Sequence, residues 1–183
     1  MIDYHLCSSD DELRGILALQ HDNLKKNLSK EEIRQQGFVT VVHSFPDIKK
    51  LNGAERHVVG TVDGKVIAYL LAMTKAAAND IPALQPMFGQ FEKIYIGDMP
   101  VSEQPYIIVG QVCVAKDFRG KHVLDDCYDA YRNAYGDRYR FAITEIAVEN
   151  QRSLNAHRRV GFDVIHKYSD PGGIDWAIVA WDW

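Results

Sequence analysis

The sequence predicts a mixed α/β domain with an α+β mixed sheet, in which antiparallel hairpins flank two parallel strands joined by a helix. Three observations carry that prediction. Tyr106 to Val114 (YIIVGQVCV) is a nearly continuous apolar run, and Val123, Leu124, Cys127, Tyr128, Tyr131, Ala134 and Tyr135 follow it at three- and four-residue intervals. A buried strand therefore passes through a short polar turn, Ala115 to Gly120, into an amphipathic helix. Second, HVVGTV and KVIAYLLAM meet at Asp63-Gly64, the dipeptide of a tight type I′ turn. Third, Phe162 to Tyr168 and Ile174 to Trp183 meet across Ser169-Asp170-Pro171-Gly172-Gly173 as a closing hairpin.

In chain order, Ile2 to Leu6 alternates enough for a short first strand. Ser9 to Glu12 forms a capping box, and Leu13, Ile16, Leu17 and Leu24 give the apolar face of a helix ending near Asn27. Ser29 to Glu32 caps a second helix that stops at Gly37; Phe38 to His43 (FVTVVH) reads as a strand, and Pro46 to Asn52 as a short helical turn before Gly53. Between the first hairpin and the central strand, 74 to 105 holds a helix from Asp80 through Leu84, Met87 and Phe91, then a loop with Pro100 and Pro105. A connection of that length either packs over a sheet edge or covers a pocket. Phe141 to Val148 (FAITEIAV) is expected beside Val112 to Val114, and Glu149 to Val160 is a helix terminated by Gly161.

The 183 residues suit one domain, 1–183, with no Pro/Gly/Ser-rich linker to divide it. Hydrophobic content of 46% without any run of transmembrane length, and an N-terminus lacking a basic segment before a hydrophobic one, point to a cytoplasmic protein with no membrane partner. The net charge of −4 argues against broad nucleic-acid binding. Cys7, Cys113 and Cys127 form no CxxC pair and the seven histidines lack metal-ligand spacing, so no disulfide framework and no metal is expected. Cys113 and Cys127 fall in apolar patterns and read as core thiols.

The central strand–turn–helix aims the free N–H groups and positive dipole end of its helix past the strand's end, an arrangement suited to a phosphate or pyrophosphate. Arg119-Gly120-Lys121 adds a glycine for close approach and two cations.

Two segments together resemble the acyl-CoA-dependent N-acyltransferases of the GNAT superfamily. VCVAKDFRGKHV is similar to that family's strand leading into an Arg-Gly-Lys turn and a helix. EIAVENQRSLNAHRRVGF is similar to its later motif, with Asn150, Ser153, His157, Gly161 and Phe162 at the matching positions. The first segment departs from the family's Arg/Gln-x-x-Gly-x-Gly/Ala pattern, since His122 and Leu124 occupy the later small positions, and Asp125 and Asp126 follow, expected to point outward.

The resemblance implies a GNAT-like fold and an N-acetyltransferase that uses acetyl-CoA as cosubstrate, by direct attack of a primary amine carried by a small molecule or peptide. The backbone of Val112, Cys113 and Val114 would pair with the pantetheine arm, the backbone from Arg119 through Gly120, Lys121, His122 and Val123 to Leu124 would hold the pyrophosphate, and Asn150 and Ser153 would reach the cofactor from the following helix. Gly110 marks a bulge that opens a cleft for the arm. Glu145 stands where ribosomal-protein alanine N-acetyltransferases carry their base, and a carboxylate in a buried strand has a raised pKa suited to that task. His157 occupies the place of the family's acid tyrosine, with Tyr168 as the alternative donor. Packing roles for Glu145 and His157, an N-cap role for Asn150 and a homodimeric assembly stay open at this point. A second reading is a catalytically inactive GNAT-fold module binding a CoA-type ligand or a protein partner.

Overall fold

The computed structural model describes residues 1–183, apart from the side chains of Arg34 and Gln35. The elements in chain order are β1 (Asp3–Leu6), α1 (Asp10–Asn23), α2 (Lys30–Gln36), α3 (Phe45–Ala54), β2 (Val58–Val62), β3 (Lys65–Met73), α4 (Ala77–Asp80), α5 (Gln85–Phe88), β4 (Tyr95–Ile96), β5 (Met99–Pro100), β6 (Tyr106–Val114), α6 (Val123–Tyr135), β7 (Phe141–Ala147), α7 (Gln151–Val160), β8 (Asp163–Ser169) and β9 (Asp175–Asp182). Seven strands form one sheet in the order β1-β2-β3-β6-β7-β9-β8, antiparallel throughout except for β6 and β7. Capping boxes at Ser9 and Ser29 start α1 and α2 as predicted, and a third at Ser44 starts α3. Asp63 and Gly64 both take positive φ in the β2–β3 turn.

Helices cover both faces of the sheet. One core packs Leu13, Ile16 and Ile48 of α1 and α3 against Tyr69, Ile108 and Ile143. The other packs Tyr128, Tyr131 and Tyr135 of α6 and Leu154 of α7 against Leu70, Val109, Ala142 and Val179. All three cysteines are buried free thiols, burial pushes Cys113 and Cys127 up to about 12, and the described residues contain no cluster able to hold a metal. Among the described residues, no helix is long and apolar enough to cross a membrane.

Four expectations need correction. Phe38 to His43 is no strand: only Val39 makes a bridge, with Leu24, because the segment crosses over the sheet's fork and meets α1 instead of a strand edge. The predicted 80–91 helix is broken into α4, a 3-10 turn at Pro82–Leu84, and α5, since prolines at 82 and 86 restart the backbone twice. The first helix ends at Asn23, and a separate 3-10 turn spans Lys25–Asn27. Residues 45–54 form three turns of helix that run through Gly53.

Candidate active site

Strands β6 and β7 run parallel and paired only from Tyr106 to Ile108 against Phe141 to Ile143. Beyond that point they separate, and Val112 to Val114 makes no ladder pairs with the middle of β7, which leaves the cleft expected at Gly110. The cause is in β6. Between the pairs Leu70↔Val112 and Ala72↔Val109, β3 advances two residues and β6 three, so Gly110-Gln111 holds one extra residue. The bulge shifts the side-chain alternation by one: Val109 and then Val112 and Val114 pack on the α6 side, while Cys113 turns to the opposite core. Glycine at 110 leaves room for the Met73 side chain, which a Cβ there would displace. Two hydroxyls cap the carbonyls at the fork, Tyr131 donating to Ile108 O at 3.0 Å and Thr144 to Val109 O at 2.7 Å.

The fork opens into two connected cavities. The larger, about 540 Å³, runs from the β6 end past the turn and along α7 as far as Arg159, within the size range of a small-molecule site. Of the cofactor residues predicted from sequence, Val112, Cys113, Val114, Arg119, Gly120, His122, Val123, Leu124, Asn150 and Ser153 line it. Lys121 does not, its Nζ lying 5.7 Å over the Phe118 ring. The smaller cavity, about 100 Å³, lies deeper in the fork and includes Glu145. Phe38, Val39, Val112, Asn150, Ser153 and His157 line both and so form the junction.

At the turn, Gly120 (φ 72°) and His122 (φ 61°) both take left-handed backbone. His122 thus keeps the conformation that a glycine would supply, at a cost on the order of 1–2 kcal/mol. The backbone N–H groups of Gly120 to Leu124 have no acceptor among the described residues and sit at the start of α6. The Arg119 side chain is turned inward: Nε donates to Val114 O at 2.9 Å, Nη1 to Gln36 Oε1 at 3.1 Å, and Nη2 to Asn23 Oδ1. It braces the turn against α1 and α2. Asp125 does not point outward as expected. It lines the larger cavity and receives a bidentate pair from Arg159, at 3.0 and 2.7 Å, which holds its carboxyl below the usual range and offsets its charge. Asp126 is exposed and accepts from Tyr4 O–H at 3.0 Å.

Asn150 is the N-cap of α7, its Oδ1 accepting from Ser153 N at 3.2 Å, and its Nδ2 donates to Phe38 O at 3.2 Å, which pins the crossing segment over the junction. His157 has neither ring nitrogen free. Nδ1–H donates to Ser153 O at 2.8 Å, so Nε2 accepts the Tyr128 O–H at 2.7 Å. Burial lowers its pKa to about 4, and it is a neutral imidazole at physiological pH.

Glu145 is different. Burial lifts its carboxyl to about 7, against the lowering effect of Tyr168 O–H, which donates to Oε2 at 2.5 Å. Tyr168 reaches Glu145 from β8, two strands away across β9. Segment 74–105 reaches the smaller cavity with the buried side chains of Leu84 and Met87. Its acids Glu92, Asp98 and Glu103 are exposed and line neither cavity. Gln111 and Thr144 are site residues that sequence reasoning passed over; a lone amide within YIIVGQVCV was the available signal.

No family model matches this sequence, and no curated protein matches it. Among solved structures, a GNAT family acetyltransferase from Streptococcus agalactiae is similar over 100% of this chain and 95% of its own, with a TM-score of 0.67 at 14% identity. The ribosomal-protein-S18-alanine N-acetyltransferase from Escherichia coli is similar over 100% of this chain and 94% of its own, with a TM-score of 0.64 at 12% identity. A chain of the NatC complex bound to Gag peptide and CoA is similar over 100% and 98%, with a TM-score of 0.65 at 12% identity. The chain has the GNAT acetyltransferase fold, as the sequence resemblance implied.

Proposed function

We propose that this protein is an N-acetyltransferase that moves the acetyl group of acetyl-CoA to a primary amine by direct attack. The observation that carries the reading is the fork: one cavity with uncommitted backbone N–H groups at its outer end joins a second that holds a carboxyl near pKa 7. The pantetheine arm would lie along the unpaired edge of β6 at Val112 to Val114, and the pyrophosphate at the Gly120 to Leu124 backbone. The neighbour solved with CoA supports acetyl-CoA as the donor.

An amine reaches the site mostly as its ammonium. Glu145, ionised in about half the molecules near pH 7, takes that proton, since a base whose pKa lies near the working pH combines a usable ionised fraction with sufficient basicity. Tyr168 holds one carboxylate oxygen and leaves the other for the substrate. The free amine then attacks the thioester carbon, and the oxyanion that forms is stabilised by backbone N–H groups of the β6 edge. Collapse breaks the C–S bond and expels CoA thiolate, and the nitrogen, which still carries a second proton after attack, gives it up to solvent as the neutral amide forms. A neutral His157 whose Nδ1–H is committed to Ser153 O has no proton to give that thiolate, so its role here is to lock α7 to Tyr128. The thiolate takes its proton from solvent or from Glu145.

The alternative of an inactive module drew on His122, Leu124 and the acids after them. Left-handed backbone at His122 and the Arg159 pair at Asp125 remove most of its support. The test is thiol release from acetyl-CoA with a panel of primary amines: amine-dependent release that disappears in Glu145→Gln is expected, and no amine-dependent release with any acceptor would overturn the reading.

A further inference from the structure

The smaller cavity is the acceptor's end of the fork, and its chemistry is one-sided. Val41, Leu84, Met87, Ile108, Ile146 and Trp176 contribute apolar surface. Its polar side chains are almost all committed within the protein. Gln111 donates to Val41 O at 2.8 Å and accepts from Gln20 and Tyr69, Thr144 donates to Val109 O, Asn150 spans Phe38 and Ser153, His157 spans Ser153 and Tyr128, and Trp176 Nε1 donates to Asp170. What stays available is one oxygen of Glu145, with the hydroxyl of Thr40 at the exposed rim; the Ser153 hydroxyl at the junction lies 3.3 Å from His157 Nδ1. No lysine or arginine lines the cavity, and Glu145 is its one carboxylate among the described residues.

Resting on the acetyl-transfer reading, we infer that the acceptor is a hydrophobic monoamine: a primary amine on an alkyl or arylalkyl body, with no carboxylate, phosphate or second ammonium close to the reacting nitrogen. The chamber is about 100 Å³, roughly three water volumes, so it takes the amine and the few carbons beside it and reads what they carry. A carboxylate or phosphate there would meet Glu145 with no cation to offset it. A second ammonium would lose its hydration against Leu84 and Met87, whose side chains offer no compensating bond. An alkyl or aryl group loses nothing on entry, and the unbranched Met87 side chain can adjust to its shape. The Glu145 oxygen left free by Tyr168 then receives the one ammonium the chamber accommodates.

The experiment measures kcat/KM with acetyl-CoA for matched pairs, 2-phenylethylamine against phenylalanine and n-butylamine against 1,4-diaminobutane. The unsubstituted amine of each pair should be favoured by on the order of 100-fold or more. Met87→Gln should lower kcat/KM for 2-phenylethylamine by about tenfold, while the rise in melting temperature caused by CoA shows that the variant is folded and binds its cosubstrate. Equal or better turnover of phenylalanine or the diamine, or a CoA-binding Met87→Gln enzyme with unchanged 2-phenylethylamine kinetics, would overturn the inference and leave acetyl transfer standing. Absence of transfer to every amine, with no melting response to CoA, would instead remove both.

Discussion

Replacing Glu145 by glutamine should produce two effects of opposite sign. The carboxyl moves from about 4.5 to about 7 on burial, and at about 1.4 kcal/mol per unit this is a linkage on the order of 3 kcal/mol. Below the unfolded value the carboxyl is protonated in both states and carries no penalty. As pH rises through about 7, the native carboxyl must ionise in apolar surroundings, and that stability is lost. The amide of the variant cannot ionise, so Glu145→Gln should gain on the parent as pH rises, by roughly 2–3 kcal/mol between about pH 5 and pH 8.5, or several degrees in melting temperature for a chain of this size. Taking the difference between two pH values cancels any fixed cost of the new amide. It also cancels the acid sensitivity from His57 and His157, both lowered by burial to about 4, since both proteins share it. Over the same range the variant should lose about 10²–10⁴-fold in kcat/KM, with the loss shrinking at high pH as free amine accumulates. Parallel melting curves for variant and parent at all pH values would refute the burial argument, and retained activity would refute the base.

Gly110→Ala should lower stability by about 1–3 kcal/mol, because its methyl group has no room beside Met73, and a melting temperature equal to the parent's would refute the packed bulge. His122→Gly should leave stability within about 1 kcal/mol of the parent, relief of left-handed strain being offset by glycine's unfolded entropy, and should tighten CoA binding; a weaker Kd by calorimetry would contradict the turn assignment. His157→Phe should cost about 1–3 kcal/mol by stranding the buried Tyr128 hydroxyl, with a smaller fall in kcat than Glu145→Gln; a larger fall at unchanged CoA affinity would restore His157 as the acid.

Much of this fold was legible because its signals are local. The Asp63-Gly64 turn, the capping boxes and the central strand–turn–helix each depend on residues within a few positions of one another. Gly110 was readable as a bulge because glycine inside a buried strand has few other uses. The cleft expected from that bulge is there, but the point at which β6 and β7 stop pairing was not readable, since it depends on register against β3, which no local pattern encodes. Phe38 to His43 has strand composition, but a strand also needs an edge, and β-branched residues serve equally to cover a cavity. At the site, Glu145 stood out as a carboxylate in an apolar run, whereas three of the bonds that occupy Arg119 and His157 come from α1, α2 and α6, at separations of 29 to 96 residues.

The central claim is that the fork and the Gly120 to Leu124 turn hold CoA. Thermal unfolding with increasing CoA tests it most directly, because it needs neither the acceptor nor an active base. At a hundred times its Kd, CoA should stabilise the fold by about 2.7 kcal/mol, seen as a melting temperature that climbs with ligand concentration. A melting temperature that does not move at millimolar CoA would contradict the account.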